Sequence, residues 1–212
     1  VASRSNGLCF FLFAITAHEA AHGFVAYRLG DKTAYLSGRL TLNPLKHIDI
    51  IGTIVVPCIL LLLGGFILGW AKPVPVNFNQ LKSPRRDMAL VAAAGPASNL
   101  LMALMWAGFA KLGMIFYGNE IPGALAMVYM GQAGILINLV LMVLNLIPIP
   151  PLDGSRVVTS ILPPKPAYYY NLLEPWGFFI LIFLLVFGIL PLLISPPIVA
   201  LRNTILSLFG LS

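Results

Sequence analysis

The sequence predicts an all-α polytopic membrane protein, a bundle of about 4–6 transmembrane helices with short β-like or re-entrant segments between them. Three observations predict it. Of 212 residues, 59% are hydrophobic and 9% charged, against about 45–50% and about 25% in soluble domains. The mean hydropathy is +0.92. The charges also leave long gaps: residues 5–27 hold one, Glu19, and residues 50–71, 88–110, 121–152 and 175–201 hold none. So little charge cannot cover a water-facing surface, which excludes an ordinary cytosolic enzyme. Such hydrophobicity excludes a disordered chain. The net charge of +6 does not indicate nucleic acid, because the 13 basic residues lie scattered between apolar runs and form no basic face. They read as anchors in membrane loops.

A helix needs about 20 apolar residues to cross the bilayer core. The gaps therefore place helices at 7–29, 88–116, 124–147 and 176–195, with a fifth candidate at 50–70. A last apolar stretch, 198–211, follows Pro196-Pro197 and reads as interfacial or as a short final helix. Segment 50–70 has the length to span, but Gly52, Pro57, Gly64 and Gly65 punctuate it. Re-entrant backbone of that kind is tolerated where protein buries it. Counting loop charges favours the same reading. With 50–70 re-entrant, the connections 28–87 and 147–175 carry ten basic residues on one side, against Arg4 and Lys111 on the other, with Arg202 left unplaced.

The connections have character of their own. Residues 33–43, TAYLSGRLTLN, partly alternate and contain β-formers, which predicts a short strand or hairpin. Residues 70–79 carry Pro73 and Pro75 at alternate positions and read as an extended edge strand or polyproline-like segment. An edge of that kind can accept an added peptide strand. Residues 82–87, KSPRRD, read as an interfacial anchor before a helix, and IPIPPLDG at 147–154 cannot continue one. Residues 1–212 read as a single membrane-embedded domain. The first apolar run is too long for a cleavable signal peptide. The chain opens on Val1 rather than methionine, which leaves room for a longer native N-terminus. Cys9 and Cys58 sit in apolar stretches and offer packing rather than a disulfide framework.

Polar groups inside apolar spans are costly and mark functional candidates. Here they are His18, Glu19 and His22 in the first span, Asn99 in the third apolar block, and Asn138 and Asn145 in the fourth, with Asp153 just beyond. His18-Glu19-Ala20-Ala21-His22 is an H-E-x-x-H pattern. On a helix, positions i and i+4 share a face, so both imidazoles reach one metal ion and Glu19 can take a proton from its water. Zinc is favoured by this ligand set, because it lowers the pKa of bound water towards about 7. Catalytic zinc takes three protein ligands and a water. Asp153, in a rigid Pro-Pro-Leu-Asp-Gly turn, is the favoured third ligand, and His47 competes. Asp31, Asp49, Asp87, Glu120 and Glu174 read as solvated charges in loops or at span edges.

Four segments together, HEAAHG at 18–23, GWAKPVPVN at 69–77, AGPASN at 94–99 and NLIPIPPLDG at 145–154, resemble the site-2 protease family of intramembrane metalloproteases. The likeness runs through most of the chain and is nearest the compact prokaryotic branch without a PDZ domain. It implies one Zn2+ ion held by His18, His22 and Asp153, with Glu19 as general base and then proton donor to the leaving amine. It implies that Asn145, with Pro148 and Pro150 in the N-x-x-P-x-P stretch, holds substrate or supports the site. Asn99 would support the site or stabilise the oxyanion, or else make a helix–helix hydrogen bond. Gly95-Pro96 would let helices approach closely. The β-like or re-entrant segments would lie near the active site. The implied activity is hydrolysis of peptide bonds within or near transmembrane segments of membrane proteins, such as single-span regulators or signal-peptide remnants. The implied setting is the lipid bilayer of a prokaryotic inner or plasma membrane. The alternatives are a non-proteolytic helix-binding homologue, a metal-ion transporter and a lipid hydrolase. The oligomeric state is not legible.

Overall fold

The computed structural model describes residues 2–56, 58–59 and 72–211. In chain order the helices are α1 (Ala2–Arg28), α2 (Thr33–Leu36), α3 (Pro84–Gly118), α4 (Ala124–Asn145), α5 (Asp153–Ile161), α6 (Pro164–Asn171), α7 (Gly177–Val186) and α8 (Ile189–Leu208). Short 3-10 turns sit at Pro44–Lys46, Phe78–Gln80 and Glu174–Trp176, and a π-helical turn at Ile50–Val55. No strand occurs among the described residues. Among the described residues, four stretches are long and apolar enough to cross a membrane: Pro84–Gly118, Ala124–Asn145, Pro164–Val186 and Ile189–Leu208. The protein is an all-α polytopic membrane protein. Helix α1 also has the length, at 27 residues, but His18, Glu19 and His22 dilute its apolar character.

Helix α3 is central, packing against α1, α4 and α5, while α8 closes on α4. The core between them is built on Ala103 and Ala107 of α3, Ile135, Leu139 and Val143 of α4, and Ile198, Ile205 and Leu206 of α8. Small residues let helix backbones approach closely, the usual basis of packing in lipid. The large apolar side chains of the same helices, Leu101, Met105, Leu112 and Leu136 among them, are exposed. In water that would be an aggregation hazard; in a bilayer it is the solvated face.

Four expectations need correction. Residues 33–43 form no strand: Thr33–Leu36 is a helical turn. The cause is Asp31, whose Oδ1 accepts from the Thr33 N–H at 2.8 Å and from its hydroxyl, a local turn that outcompetes β pairing. The span placed at 176–195 breaks at Gly188, whose φ of +70° is left-handed. Its first half, α7, joins the preceding turns to make Pro164–Val186, and its second half opens α8. The stretch 198–211 is therefore no separate helix, because α8 runs through Pro196 and Pro197. The solvated-charge reading also fails for two carboxylates. Asp31 and Asp87 are buried, and Asp87 Oδ2 reaches back to the N–H of Ser83 at the start of α3, at 2.8 Å. Most of 50–70, including Pro57, Gly64 and Gly65, lies outside the described residues.

Candidate metal centre

Helix α1 presents His18 and His22 on one face, and α5 begins on Asp153 where its N-terminus favours a carboxylate. The structure brings these three residues together. Nε2 of His18 lies 3.0 Å from Nε2 of His22 and 3.0 Å from Asp153 Oδ2, and His22 Nε2 lies 3.3 Å from the same oxygen. His18 and His22 are buried. Asp153 Oδ2 is itself a buried oxygen that accepts no hydrogen bond from any described residue.

The far sides of the imidazoles decide what these near sides are. His22 Nδ1–H donates to the Val91 carbonyl of α3 at 2.7 Å. A carbonyl only accepts, so the proton is on Nδ1 and Nε2 carries a lone pair. His18 Nδ1–H donates to Asn99 Oδ1 at 2.5 Å, with the same consequence. Two lone pairs and a carboxylate oxygen thus converge with no proton between them, an arrangement that a cation satisfies. Tetrahedral zinc with bonds of about 2.0–2.2 Å would set its ligands about 3.3–3.6 Å apart, close to the spacing seen. The chemistry of the donor set fits zinc.

Helix α3 reaches this point because residue 95 is glycine. A Cβ there would lie 2.5 Å from ring atoms of both His18 and His22. Pro96 follows without interrupting the helix. His47 does not join the group: it is buried elsewhere, with Nε2 donating to the Thr41 carbonyl at 2.9 Å. Among the described residues, His18, His22 and Asp153 form the cluster able to hold a metal ion.

Glu19 sits beside the centre, and its Oε2 accepts from the Val74 N–H at 2.8 Å. Val74 belongs to an extended strap, residues 72–77, that four groups hold. The His47 carbonyl accepts from the Lys72 N–H at 2.9 Å, and Arg39 donates to the Lys72 and Pro73 carbonyls at 3.0 and 3.3 Å. Glu19 holds the middle, and Asp31 Oδ2 accepts from the Asn77 N–H at 2.7 Å. The strap forms one side of a cleft of about 570 Å³ that also exposes Asn145, Arg156 and, from α7, Phe178 and Leu181.

The remaining predicted residues divide. Asn145 lines the cleft and spends its Nδ2 on the Leu141 carbonyl at 2.9 Å. Pro148 and Pro150 do not line the cleft, whose wall includes Pro151 instead. The Pro148 carbonyl accepts from Tyr170 at 2.8 Å, so its contribution is to hold α6. Asn99 faces His18 directly and makes a helix–helix bond to Asn138 as well, at 3.0 Å. Sequence reading missed the Val91 carbonyl, the Val74 N–H and Arg156. The first two are backbone groups that any residue supplies. Arg156 lies one helical turn beyond Asp153, and that spacing alone would have placed it on the same face of the helix.

The family model for peptidase family M50 matches residues 113–184. A Bacillus subtilis protein named "Putative zinc metalloprotease YwhC" is 41% identical over 94% of this chain and 88% of its own length. Proteins named "Putative zinc metalloprotease Rip2" from Mycolicibacterium smegmatis and Mycobacterium tuberculosis are 32% and 33% identical. They cover 83% and 86% of this chain, and 64% and 66% of their own. No solved structure gives a significant match. The fold and these relatives define a zinc metalloprotease of the membrane. The chain belongs to peptidase family M50, the site-2 protease family.

Proposed function

We propose that the chain hydrolyses peptide bonds within or beside transmembrane segments of membrane proteins, with His18, His22 and Asp153 holding one zinc ion and Glu19 moving the proton. The observation that carries this reading is the convergence of three lone-pair donors, beside a carboxylate one residue along the helix, in a cleft walled by apolar helices. When bound, zinc supplies a Lewis acid that polarises a carbonyl and acidifies a water.

The chain's own groups do the rest. The Val74 N–H holds Glu19 by Oε2, and no described residue bonds Oε1, which is left to take a proton from the attacking water and return it to the leaving amine. A substrate helix must unwind before attack, and its freed amides need partners in an apolar setting. The strap offers them. Residues 74 and 76 of an extended chain point to one side, and no described residue bonds the Val76 N–H or the Val74 and Val76 carbonyls. Pro73 and Pro75, which lack an N–H, fall on the other side. Asn145 Oδ1, unbonded by any described residue, adds an acceptor in the cleft. The substrate is thus a membrane protein presented in extended form, in the cell membrane of a prokaryote.

The test is cleavage of a panel of single-span substrates by the full chain in detergent. Glu19→Gln should lower the rate by about 10²- to 10⁴-fold, the range for a general base, while zinc content stays at the wild-type level. Chelator should abolish the remainder. A Glu19→Gln variant that cleaves at the wild-type rate overturns the reading.

A further inference from the structure

Beneath His18 runs a chain of side-chain amides that crosses three helices. Asn99 of α3 is 0% exposed and Asn138 of α4 is 1% exposed, so water does not satisfy them. Asn138 Nδ2 donates to the Gly134 carbonyl at 2.8 Å. Asn99 Nδ2 donates to Asn138 Oδ1 at 3.0 Å. Asn99 Oδ1 accepts from His18 Nδ1–H at 2.5 Å.

Each amide has two orientations, and one group breaks the ambiguity. The Gly134 carbonyl can only accept, so the Asn138 nitrogen must face it. Asn138 then presents its oxygen to Asn99, Asn99 presents its oxygen to His18, and His18 must carry its proton on Nδ1. Reversing the chain would set the Asn138 oxygen against the Gly134 oxygen and aim the Asn99 NH2 at His18. The His18 proton would move to Nε2, into the space between His22 and Asp153. Residue 134 is four before residue 138, so the anchor is local to α4 and forms with the helix. His22 needs no such chain, because the Val91 carbonyl fixes it directly.

We infer that Asn138 is a positioning residue for the metal centre: anchored on the Gly134 carbonyl, it orients Asn99 so that His18 offers the lone pair of Nε2 to zinc. This rests on His18 being a ligand, as proposed above.

The experiment measures zinc affinity of the full chain in detergent by competition with a chromogenic chelator, with unfolding followed in parallel. His18→Ala first checks the underlying reading, which fails if zinc binding is unchanged. Asn138→Leu should bind zinc about tenfold more weakly, within the range for groups that orient a ligand. Asn138→Asp should restore it, because burial keeps the carboxyl neutral and its O–H and C=O replace the amide. In an Asn99→Ala background, Asn138→Leu should cost nothing further. The same loss with or without Asn99, or wild-type affinity in folded Asn138→Leu, overturns the inference. A measurement on the wild type needs no variant. With three histidines in the chain, ¹⁵N-histidine spectra of the zinc-loaded protein should show His18 protonated on Nδ1. Zinc on Nδ1 of that ring overturns the inference.

Discussion

The wall of the cleft made by α1, α3 and α4 holds its buried polar groups from behind, whereas the wall made by α7 is apolar, mostly exposed and tied on through the turns that precede it. On the first wall His18, His22, Asn99 and Asn138 are all buried, and backbone carbonyls on α3 and α4 end their hydrogen-bond chains. On the second, Gly177 and Leu181 are the buried residues of α7, while Phe179, Phe183 and Phe187 face outward. Polar ties hold it through Arg156–Glu174, Thr159–Asn171 and Tyr170–Pro148. Precision is concentrated where the chemistry is. Reacting groups need sub-ångström placement, which a dense polar network supplies. An apolar wall in lipid needs no such network, since its outward face is already solvated.

The sharpest way to break this contrast is to disturb the first wall at its tightest point. Gly95→Ala puts a methyl 2.5 Å from both imidazoles and should weaken zinc binding by about 100-fold, read by chelator competition. Binding at the wild-type level would show that α3 does not press on the centre. Next is the strap. Asp31→Ala releases two N–H groups and a hydroxyl at once and should destabilise by about 2–3 kcal/mol, read by denaturant unfolding. Zinc affinity should hold while cleavage falls about 10- to 100-fold through misplaced Glu19 and Val74.

The second wall should respond more weakly. A Cβ on Gly177 would lie 1.4 Å from the Pro150 carbonyl oxygen, so Gly177→Ala must shift α7. We expect a cost of about 1–3 kcal/mol with zinc affinity unmoved; a loss of zinc would mean that α7 supports the centre after all. Smallest is Arg156→Gln, which breaks a part-exposed ion pair with Glu174 and should cost under about 1 kcal/mol, with zinc affinity again unchanged.

Much of this was legible because lipid makes polar residues conspicuous. His18, Glu19, His22, Asn99, Asn138 and Asp153 stand out in uncharged runs, and the helices followed from the gaps between charges. Asp31 was misread because it sits beside Lys32, where a solvated charge is the ordinary outcome. Nothing local reveals that residues 77 and 33 bring donors to it from two directions. The break at Gly188 was hidden because the sequence is apolar on both sides, so composition carries no boundary.

By itself, then, the sequence determined the membrane class, the approximate spans and the residues able to bind a metal, because each depends on composition or on helical spacing. Only the tertiary structure set Asp153, rather than His47, against the two histidines, and showed why residue 95 must lack a side chain and which ring nitrogen of each histidine keeps its proton. Those depend on backbone carbonyls and close approaches between helices far apart in the chain, and a backbone group leaves no mark in the sequence.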